Sequence, residues 1–271
     1  MVPTAKRFVL QLLSAADGHE LTAAKLVAAG DVLAMTGNRV RVAIARLVAA
    51  GTLEATGRGS YRLGEAAQAI TRHATGWREL ERQVRRWDGG WAFVHVGELA
   101  RSDRGALVRR ERALRLLGFR TLGRTLEVRP DNLQGGVPEL RARLVELGVE
   151  PEALVVRASE LDAATDARAR KLWERERLSA SYVQTTQRID RWLATPDAEP
   201  RAAAREAFLF GGEVLRKIIF DPRLPEPLVD VAARRAMVEA ARRLDAHGRR
   251  LWARLAGVAV AMTEEGVRAA A

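Results

Sequence analysis

An asparagine and several arginines, on one predicted helix and the turn after it, have the side-chain chemistry to bind a polyanion. The helix is TGNRVRVAIARLVAAG, residues 36–51, with Thr36 as its N-cap and Gly51 just beyond its end. A hairpin with a glycine turn, TLEATGRGSYRL, follows in residues 52–63. Guanidinium groups pair with phosphates and guanine edges, and an asparagine can pair with adenine. The candidate DNA-contacting residues are Asn38, Arg39, Arg41, Val42, Arg46, Arg58 and Arg62.

The seven candidates divide by expected role. Those between positions 38 and 42 are expected to contact bases, because they lie near the start of the helix. Arg46, Arg58 and Arg62 are expected to contact phosphates instead. An arginine-rich helix face that is only solvated would have the same composition, so this alternative stays open.

The elements that would position these residues are three helical patterns and the hairpin. The first pattern places Phe8 and Ala15 on one buried stripe, and the second begins after Thr22 and ends at Gly30. The helix of residues 36–51 is the third. Three helices followed by a basic hairpin are typical of a winged helix-turn-helix, whose third helix enters the major groove. We therefore predict a DNA-binding domain in residues 1–64.

The rest of the chain predicts an α+β protein with three further regions. Residues 65–86 have helical spacing and form a connecting helix. Residues 87–160 alternate strand and helix patterns in the order βαββαβ, which predicts a ferredoxin-like domain. Residues 161–271 are almost wholly helical, with breaks at TPDAEP and DPRLPEP. We expect this last region to bind an effector or to dimerise.

The overall charge also indicates an anionic partner. The 271 residues include 45 Lys and Arg against 34 Asp and Glu, a net charge of +11, and nucleic acid is the first candidate. The absence of cysteine excludes disulfides, thiolate nucleophiles and cysteine-ligated metals. The sequence shows no signal peptide and no apolar run that could cross a bilayer. We therefore expect a cytoplasmic protein without a membrane partner.

Catalytic motifs are not evident in the sequence. The four histidines lie far apart, and there is neither a P-loop nor a Gly-x-Ser-x-Gly elbow. We expect no catalytic residue, no metal and no cofactor. His95 shares a predicted strand face with two aromatic residues, as a packed side chain or as a ligand contact. A metal-dependent nuclease would need an acid after that strand, and Glu98 is the acid nearest to it.

Three motifs resemble the phenylacetate-degradation repressor family, the PaaX-like transcriptional regulators. The segment RVRVAIARLVAAGTLEATGRGSYRL is similar to the recognition helix and wing of that family. WDGGWAFVHV, with the later RRERALRLLGFRTLGRTLEVRP, resembles the start of its central domain, and IIFDPRLPEPLV resembles its C-terminal motif. One departure is DVAARRAMVEAARRL, which stands where family members usually carry a Trp-Pro-Gly-like segment.

The resemblance implies a bacterial, homodimeric repressor that binds double-stranded, palindromic operator DNA. An acyl-CoA effector, similar to an aryl-acetyl-CoA, would release it. Arg109, Arg110 and Arg112 are candidates for the phosphates of such a thioester, or they form a solvated helix face. The alternatives that we keep are a DNA-binding protein without a ligand and a metal-dependent nuclease acting through the ferredoxin-like domain.

Overall fold

The computed structural model describes residues 3–16, 20–65, 67–68, 71, 76–97, 99, 102–195 and 199–256. Its α-helices are α1 (Ala5–Ala15), α2 (Ala23–Val32), α3 (Gly37–Ala49), α4 (Arg104–Leu116), α5 (Gly136–Glu146), α6 (Ala163–Arg170), α7 (Arg175–Ala194), α8 (Pro200–Ile219) and α9 (Val231–Ala256). Its strands are β1 (Leu21–Thr22), β2 (Leu53–Gly57), β3 (Ser60–Leu63), β4 (Trp91–His95), β5 (Arg120–Thr121), β6 (Leu126–Pro130) and β7 (Leu154–Ala158).

The chain divides into two compact units. The first comprises residues 1–76, 189–216 and 240–271, and the second comprises residues 77–188 and 217–239. Each unit contains an antiparallel sheet, with the strand order β1-β3-β2 in the first and β5-β6-β4-β7 in the second. The protein is therefore a mixed α and β protein with antiparallel sheets, which agrees with the predicted α+β class.

Local signals begin and end the first three helices. The side-chain oxygens of Thr4, Thr22 and Thr36 accept hydrogen bonds from the amide three residues later, at 3.3, 3.2 and 3.4 Å. Gly51 follows α3 with φ of +65°, the left-handed conformation that glycine supplies after a helix. The caps predicted at Thr22 and Thr36 and the helix end predicted at Gly51 are confirmed.

Two details predicted for these helices are wrong. Helix α2 does not end at Gly30 but continues to Val32. A Cβ atom at Gly30 would lie 2.8 Å from Val40 Cγ2, so the glycine serves close packing between α2 and α3 instead of ending α2. Ala15 is exposed and Ala16 is buried, because the buried stripe of α1 follows a spacing of four residues.

The sheet of the first unit contains one strand more than the sequence predicts. The predicted hairpin is confirmed: β2 and β3 pair with Leu53 opposite Leu63 and Ala55 opposite Tyr61. Strand β1 lies on the other side of β3 and places Leu21 opposite Tyr61. A strand of two residues has no alternating pattern of its own, so only its tertiary pairing reveals it.

The core of the first unit joins side chains from both ends of the chain. Phe8 of α1 packs with the buried faces of α2 and α3 and with both strands of the hairpin. Phe208 of α8 lies 5.7 Å, centroid to centroid, from the ring of Phe8 and also 5.7 Å from that of Trp252 in α9. The Trp252 Nε1 donates a hydrogen bond of 3.0 Å to the carbonyl oxygen of Ala204. C-terminal helices thus complete the core of the N-terminal helices.

The sheet of the second unit is built around β4, which pairs along its whole length with β6 and β7. Trp91 and Phe93 on one face and Ala92 and Val94 on the other are all buried, so the strand is covered on both sides. Asp103 caps the start of helix α4, and its carboxylate accepts hydrogen bonds from two backbone amides at 2.8 and 3.1 Å. The elements follow one another as β4, α4, β5, β6, α5 and β7, which is the predicted order βαββαβ.

The secondary structure of residues 65–86, which lie between the two sheets in the sequence, differs from the predicted connecting helix. Residues 65–86 do not form one helix, since Gly76–Gln83 is a 3-10 helix. Within this 3-10 helix Trp77 is buried. The breaks predicted at residues 195–200 and 221–227 are confirmed, because α7 ends at Ala194 and no helix covers DPRLPEP.

Candidate nucleic-acid interface

Helix α3 separates an apolar face from a cationic one. Val40, Ile44 and Leu47 are buried against the core of the first unit, and each contributes about 1.5–3 kcal/mol by leaving water. Their burial determines which residues of α3 face outward. The five candidates on the exposed side are Asn38, Arg39, Arg41, Val42 and Arg46.

The start of α3 is suited to an anion. Its first turn contains no acidic residue, and the first amides of a helix lack intrahelical acceptors. The guanidinium of Arg41 lies over this turn, since its Nη1 is 3.2 Å from where a Cβ on Gly37 would be. Arg39, Arg41 and Arg46 form no ion pair with any residue that the structure describes. Within the described part of the chain, no acidic side chain compensates these three cations.

The two hairpin arginines differ from each other. Arg58 lies at the exposed tip between Gly57 and Gly59, without an ion pair to any described residue. Arg62 lies on β3 directly opposite Glu54 on β2, and its Nη2 is 2.9 Å from Glu54 Oε2. This ion pair compensates the charge of Arg62. The structure therefore distinguishes Arg62 from Arg58, although the sequence analysis gave both arginines the same role.

Contacts from the start of α2 and from the residue before β1 hold the hairpin in place. The amide of Ala23 donates a hydrogen bond of 2.8 Å to the carbonyl oxygen of Gly59, at the tip. The hydroxyl of Thr56 bonds to the carboxylate of Glu20. Sequence reasoning missed both contacts, because neither residue pair carries a local signal. The hairpin is therefore fixed along β1 as well as by its own strands.

The arginines considered for an acyl-CoA effector do not form one face. Arg110 is buried and bonds to the carboxylate of Glu150, so it does not belong to a solvated face. This hydrogen bond, at 2.9 Å from Nε, lowers the pKa of Glu150. Arg109 and Arg112 are exposed, and Arg109 lies 3.9 Å from Asp103. His95 is half-buried at the end of β4.

A buried polar network joins two of the motifs in the second unit. Arg129, only 1% exposed, donates to the carbonyl oxygen of Leu117 and at 2.9 Å to Asn132 Oδ1. Asn132 Nδ2 in turn donates a hydrogen bond of 2.8 Å to the carbonyl oxygen of Arg223. Burial lowers the pKa of Arg129 to about 9, which leaves its guanidinium charged at neutral pH. The network joins LLGF to DPRLPEP and is structural in character.

Two kinds of site are not found in the described part of the chain. None of its His, Asp and Glu residues form a group of three or more that could hold a metal ion. Glu98, the acid considered for a nuclease, lies outside the described residues. Among the helices described here, none is long and apolar enough to cross a membrane.

The fold and the exposed cationic helix define an α+β protein with a candidate polyanion-binding surface in its first unit. Residues 173–254 match the family model described as PaaX-like protein C-terminal domain. This match confirms the resemblance to the PaaX-like family that the sequence motifs indicate. It includes DPRLPEP and the departing segment after it, whereas the helix–hairpin and WDGG motifs lie outside the matched residues.

One solved structure similar to this chain is the uncharacterized protein Rv0674 from Mycobacterium tuberculosis. The sequences are 22% identical, the TM-score is 0.56, and the match covers 92% of this chain and 98% of that one. At this identity the likeness concerns the fold. No curated protein matches the chain.

Proposed function

We propose that this protein is a PaaX-like transcriptional repressor, without catalytic activity, that acts in the cytoplasm on double-stranded operator DNA. In this proposal residues 1–64 are a winged helix-turn-helix, with α3 as recognition helix and β2–β3 as wing. Residues 65–86 connect it to a ferredoxin-like domain in residues 87–160. Residues 161–271 form the effector or dimerisation region.

The observation that carries the proposal is the outward face of α3. It presents Asn38, Arg39 and Arg41 near a helix N-terminus without acidic residues, which is the arrangement that reads bases in the major groove. The order of three helices and a hairpin supports the winged helix. The order β5-β6-β4-β7 supports the ferredoxin-like arrangement, because the two central strands are the first and third in sequence.

The proposed dimer and effector follow from the family resemblance. A homodimer would place two recognition helices on half-sites about one helical turn apart. An acyl-CoA thioester of the aryl-acetyl type would favour a state in which this spacing is lost, and would thereby release the DNA. The residues that would bind the effector are not assigned.

The test is a fluorescence-anisotropy titration with DNA from upstream of the protein's own gene and a scrambled duplex of equal composition. It is repeated over a salt series, and with and without a panel of acyl-CoA thioesters. A repressor binds its operator about 10³-fold or more tightly than the scrambled duplex. Equal affinity for both duplexes would contradict the proposal. Specific binding that no thioester weakens would contradict only the effector.

Variants of α3 separate the recognition helix from general basicity. Arg41→Ala is expected to weaken operator binding by about 1–3 kcal/mol and to relax preference at one base pair. Arg112→Ala removes the same charge from an exposed position on α4 and serves as the matched control. Equal losses in the two variants would show that α3 does not read the operator.

A further inference from the structure

Three tryptophans of the second unit form one aromatic cluster, Trp87, Trp91 and Trp173. The rings of Trp87 and Trp91 meet edge to face, with their centroids 5.2 Å apart. Those of Trp91 and Trp173 lie nearly parallel, at 11°, with their centroids 6.1 Å apart. Trp91 and Trp173 are buried, whereas Trp87 is half-buried. The cluster therefore extends from the interior of the unit to a partly exposed end at Trp87.

The turn before β4 holds Trp87 at this end of the cluster. Its Nε1 donates a hydrogen bond of 2.5 Å to the carbonyl oxygen of Gly90, and the amide of Gly90 donates one of 2.9 Å to Asp88 Oδ1. The guanidinium carbon of Arg170 lies 4.9 Å from the centroid of the Trp87 ring, a cation–π contact. The partly exposed end thus combines an aromatic surface with a cation.

The buried end of the cluster carries a hydrogen-bond donor without an acceptor. Trp173 Nε1 is buried and makes no hydrogen bond to any residue that the structure describes. The acid beside the cluster already has two donors, because Asp166 accepts from Trp91 Nε1 at 2.9 Å and from Arg170 Nε at 2.5 Å. A buried donor without an acceptor lowers the stability of the free protein, and an oxygen supplied from outside the chain would remove that cost.

The chemistry of the cluster favours a ligand over a buried water molecule as this acceptor. A buried water needs about two to four polar partners. The indole donors of Trp87 and Trp91 and the Nε donor of Arg170 already have acceptors of their own. A ligand needs only one oxygen for Trp173, since the rest of it can be apolar. An aromatic ring suits the remainder, because aromatic pairs gain more than the area they bury.

We propose that the tryptophan cluster binds the effector of the repressor, and that this effector is a small aromatic ligand with a carbonyl or carboxylate oxygen. The oxygen accepts a hydrogen bond from Trp173 Nε1, and the aromatic ring packs against the tryptophans. Two sources share this chemistry, a free aromatic acid and the acyl end of its CoA thioester. The inference rests on the proposed function, because an effector acts through the DNA that it releases.

The first experiment records the indole signals of the full-length protein, with isotope-labelled tryptophan, by two-dimensional NMR. The signal of Trp173 is the one that Trp173→Phe removes. Phenylacetate is expected to move this signal downfield, because the indole proton gains an acceptor. Toluene supplies the ring without the acceptor, and acetate supplies the acceptor without the ring, so each should move the signal less. Phenylacetyl-CoA, compared with acetyl-CoA, shows whether the thioester or the free acid is the better ligand.

The second experiment measures the affinity of variants for phenylacetate by calorimetry. Trp173→Phe keeps a ring and removes the donor, so its dissociation constant should rise by about tenfold or more. Trp77→Phe is the matched control, since Trp77 is also 4% exposed and lies under the guanidinium of Arg78, at 5.0 Å. It should bind as wild type does. Trp87→Leu changes only the half-buried end and should also weaken binding, which tests the cluster without altering its interior.

The third experiment connects the ligand to DNA. The probe that moves the Trp173 signal should release wild type from its operator, measured by fluorescence anisotropy, and should leave Trp173→Phe bound at the same concentration. Equal release of both proteins would overturn the inference.

Further outcomes separate this inference from the function beneath it. A Trp173 signal that neither phenylacetate nor phenylacetyl-CoA moves overturns the ligand site. So does a Trp173 proton that already exchanges with a bound water in the free protein, and so do equal affinities of wild type and Trp173→Phe for phenylacetate. Wild type that binds the probe through Trp173 but prefers no DNA sequence overturns the proposed function and leaves a ligand site without an operator.

Discussion

Gly118 and Pro222 approach so closely that a side chain at position 118 would overlap the proline. A Cβ atom on Gly118 would lie 2.7 Å from both the Cα and the carbonyl oxygen of Pro222. The contact joins two motifs about a hundred residues apart in the sequence. Arg129 donates a hydrogen bond to the carbonyl oxygen of Leu117, the residue before Gly118. Residues of both motifs therefore pack together in the interior of the second unit.

Gly118→Ala is expected to lower the free energy of unfolding of the second unit by about 2–4 kcal/mol. The new methyl group meets backbone atoms that cannot rotate away, and φ at position 118 is +77°. Urea unfolding followed by tryptophan fluorescence measures the change. The matched control is Gly123→Ala, because a Cβ there meets nothing within 4 Å. Equal stability of the two variants would show that the contact with Pro222 is not tight.

The Arg110–Glu150 pair predicts a loss of stability in acid. The hydrogen bond from Arg110 holds the pKa of Glu150 below its ordinary value of 4.5 in the folded state. Its stabilisation is therefore complete above the unfolded pKa and is lost as the pH falls through the folded one. Between about pH 7 and pH 3, Glu150→Gln should lose less stability than wild type does.

Measured at neutral pH, Glu150→Gln should itself cost about 1–3 kcal/mol, because Arg110 is buried and loses its charged acceptor. Glu152→Gln removes the same charge from an exposed position two residues away and provides the control. Urea titrations at each pH measure the free energy of unfolding of wild type and Glu150→Gln. If the two proteins lose stability in parallel as the pH falls, the Arg110–Glu150 pair is not an acid-sensitive contact.

Glu54 is expected to restrain the affinity of the hairpin for DNA. Glu54→Gln removes the acid that pairs with Arg62 at 2.9 Å and frees one more cation for a phosphate. The slope of log K against log salt should steepen by about one. Arg62→Ala in the wild-type background should change that slope little. A Glu54→Gln protein with the wild-type slope would mean that Arg62 lies away from the DNA.

Phe208 should be important for the first unit although it lies far along the chain from its core helices. Its ring contacts those of Phe8 and Trp252, each at 5.7 Å. Phe208→Ala is expected to cost about 2–4 kcal/mol, somewhat less than a fully buried phenylalanine. Val108→Ala, at a position 60% exposed, is the control. Thermal unfolding with DNA binding as a second readout would show whether loss of this contact also weakens α3.

Of the candidate site, the sequence predicted the parts that depend on neighbouring residues. The cap at Thr36 and the apolar spacing of Val40, Ile44 and Leu47 determine which side of α3 is exposed. The same spacing therefore placed the arginines of α3 correctly on the surface. What it did not predict is which arginines already have a partner. Arg62 and Arg110 resemble the others in sequence, yet each is paired with a glutamate.

The sequence alone determined the first three helices, the hairpin, and the breaks near residues 195–200 and 221–227. These elements arise from signals within a few residues: caps, periodicity, glycine and proline. The net positive charge follows from the composition. Only the tertiary structure decided the pairing of β1, the place of Phe208 in the N-terminal core and the contact of Gly118 with Pro222. Their partners lie from about 40 to about 200 residues away in the sequence. Such contacts depend on how buried surfaces fit together, and local residue patterns carry no record of that fit.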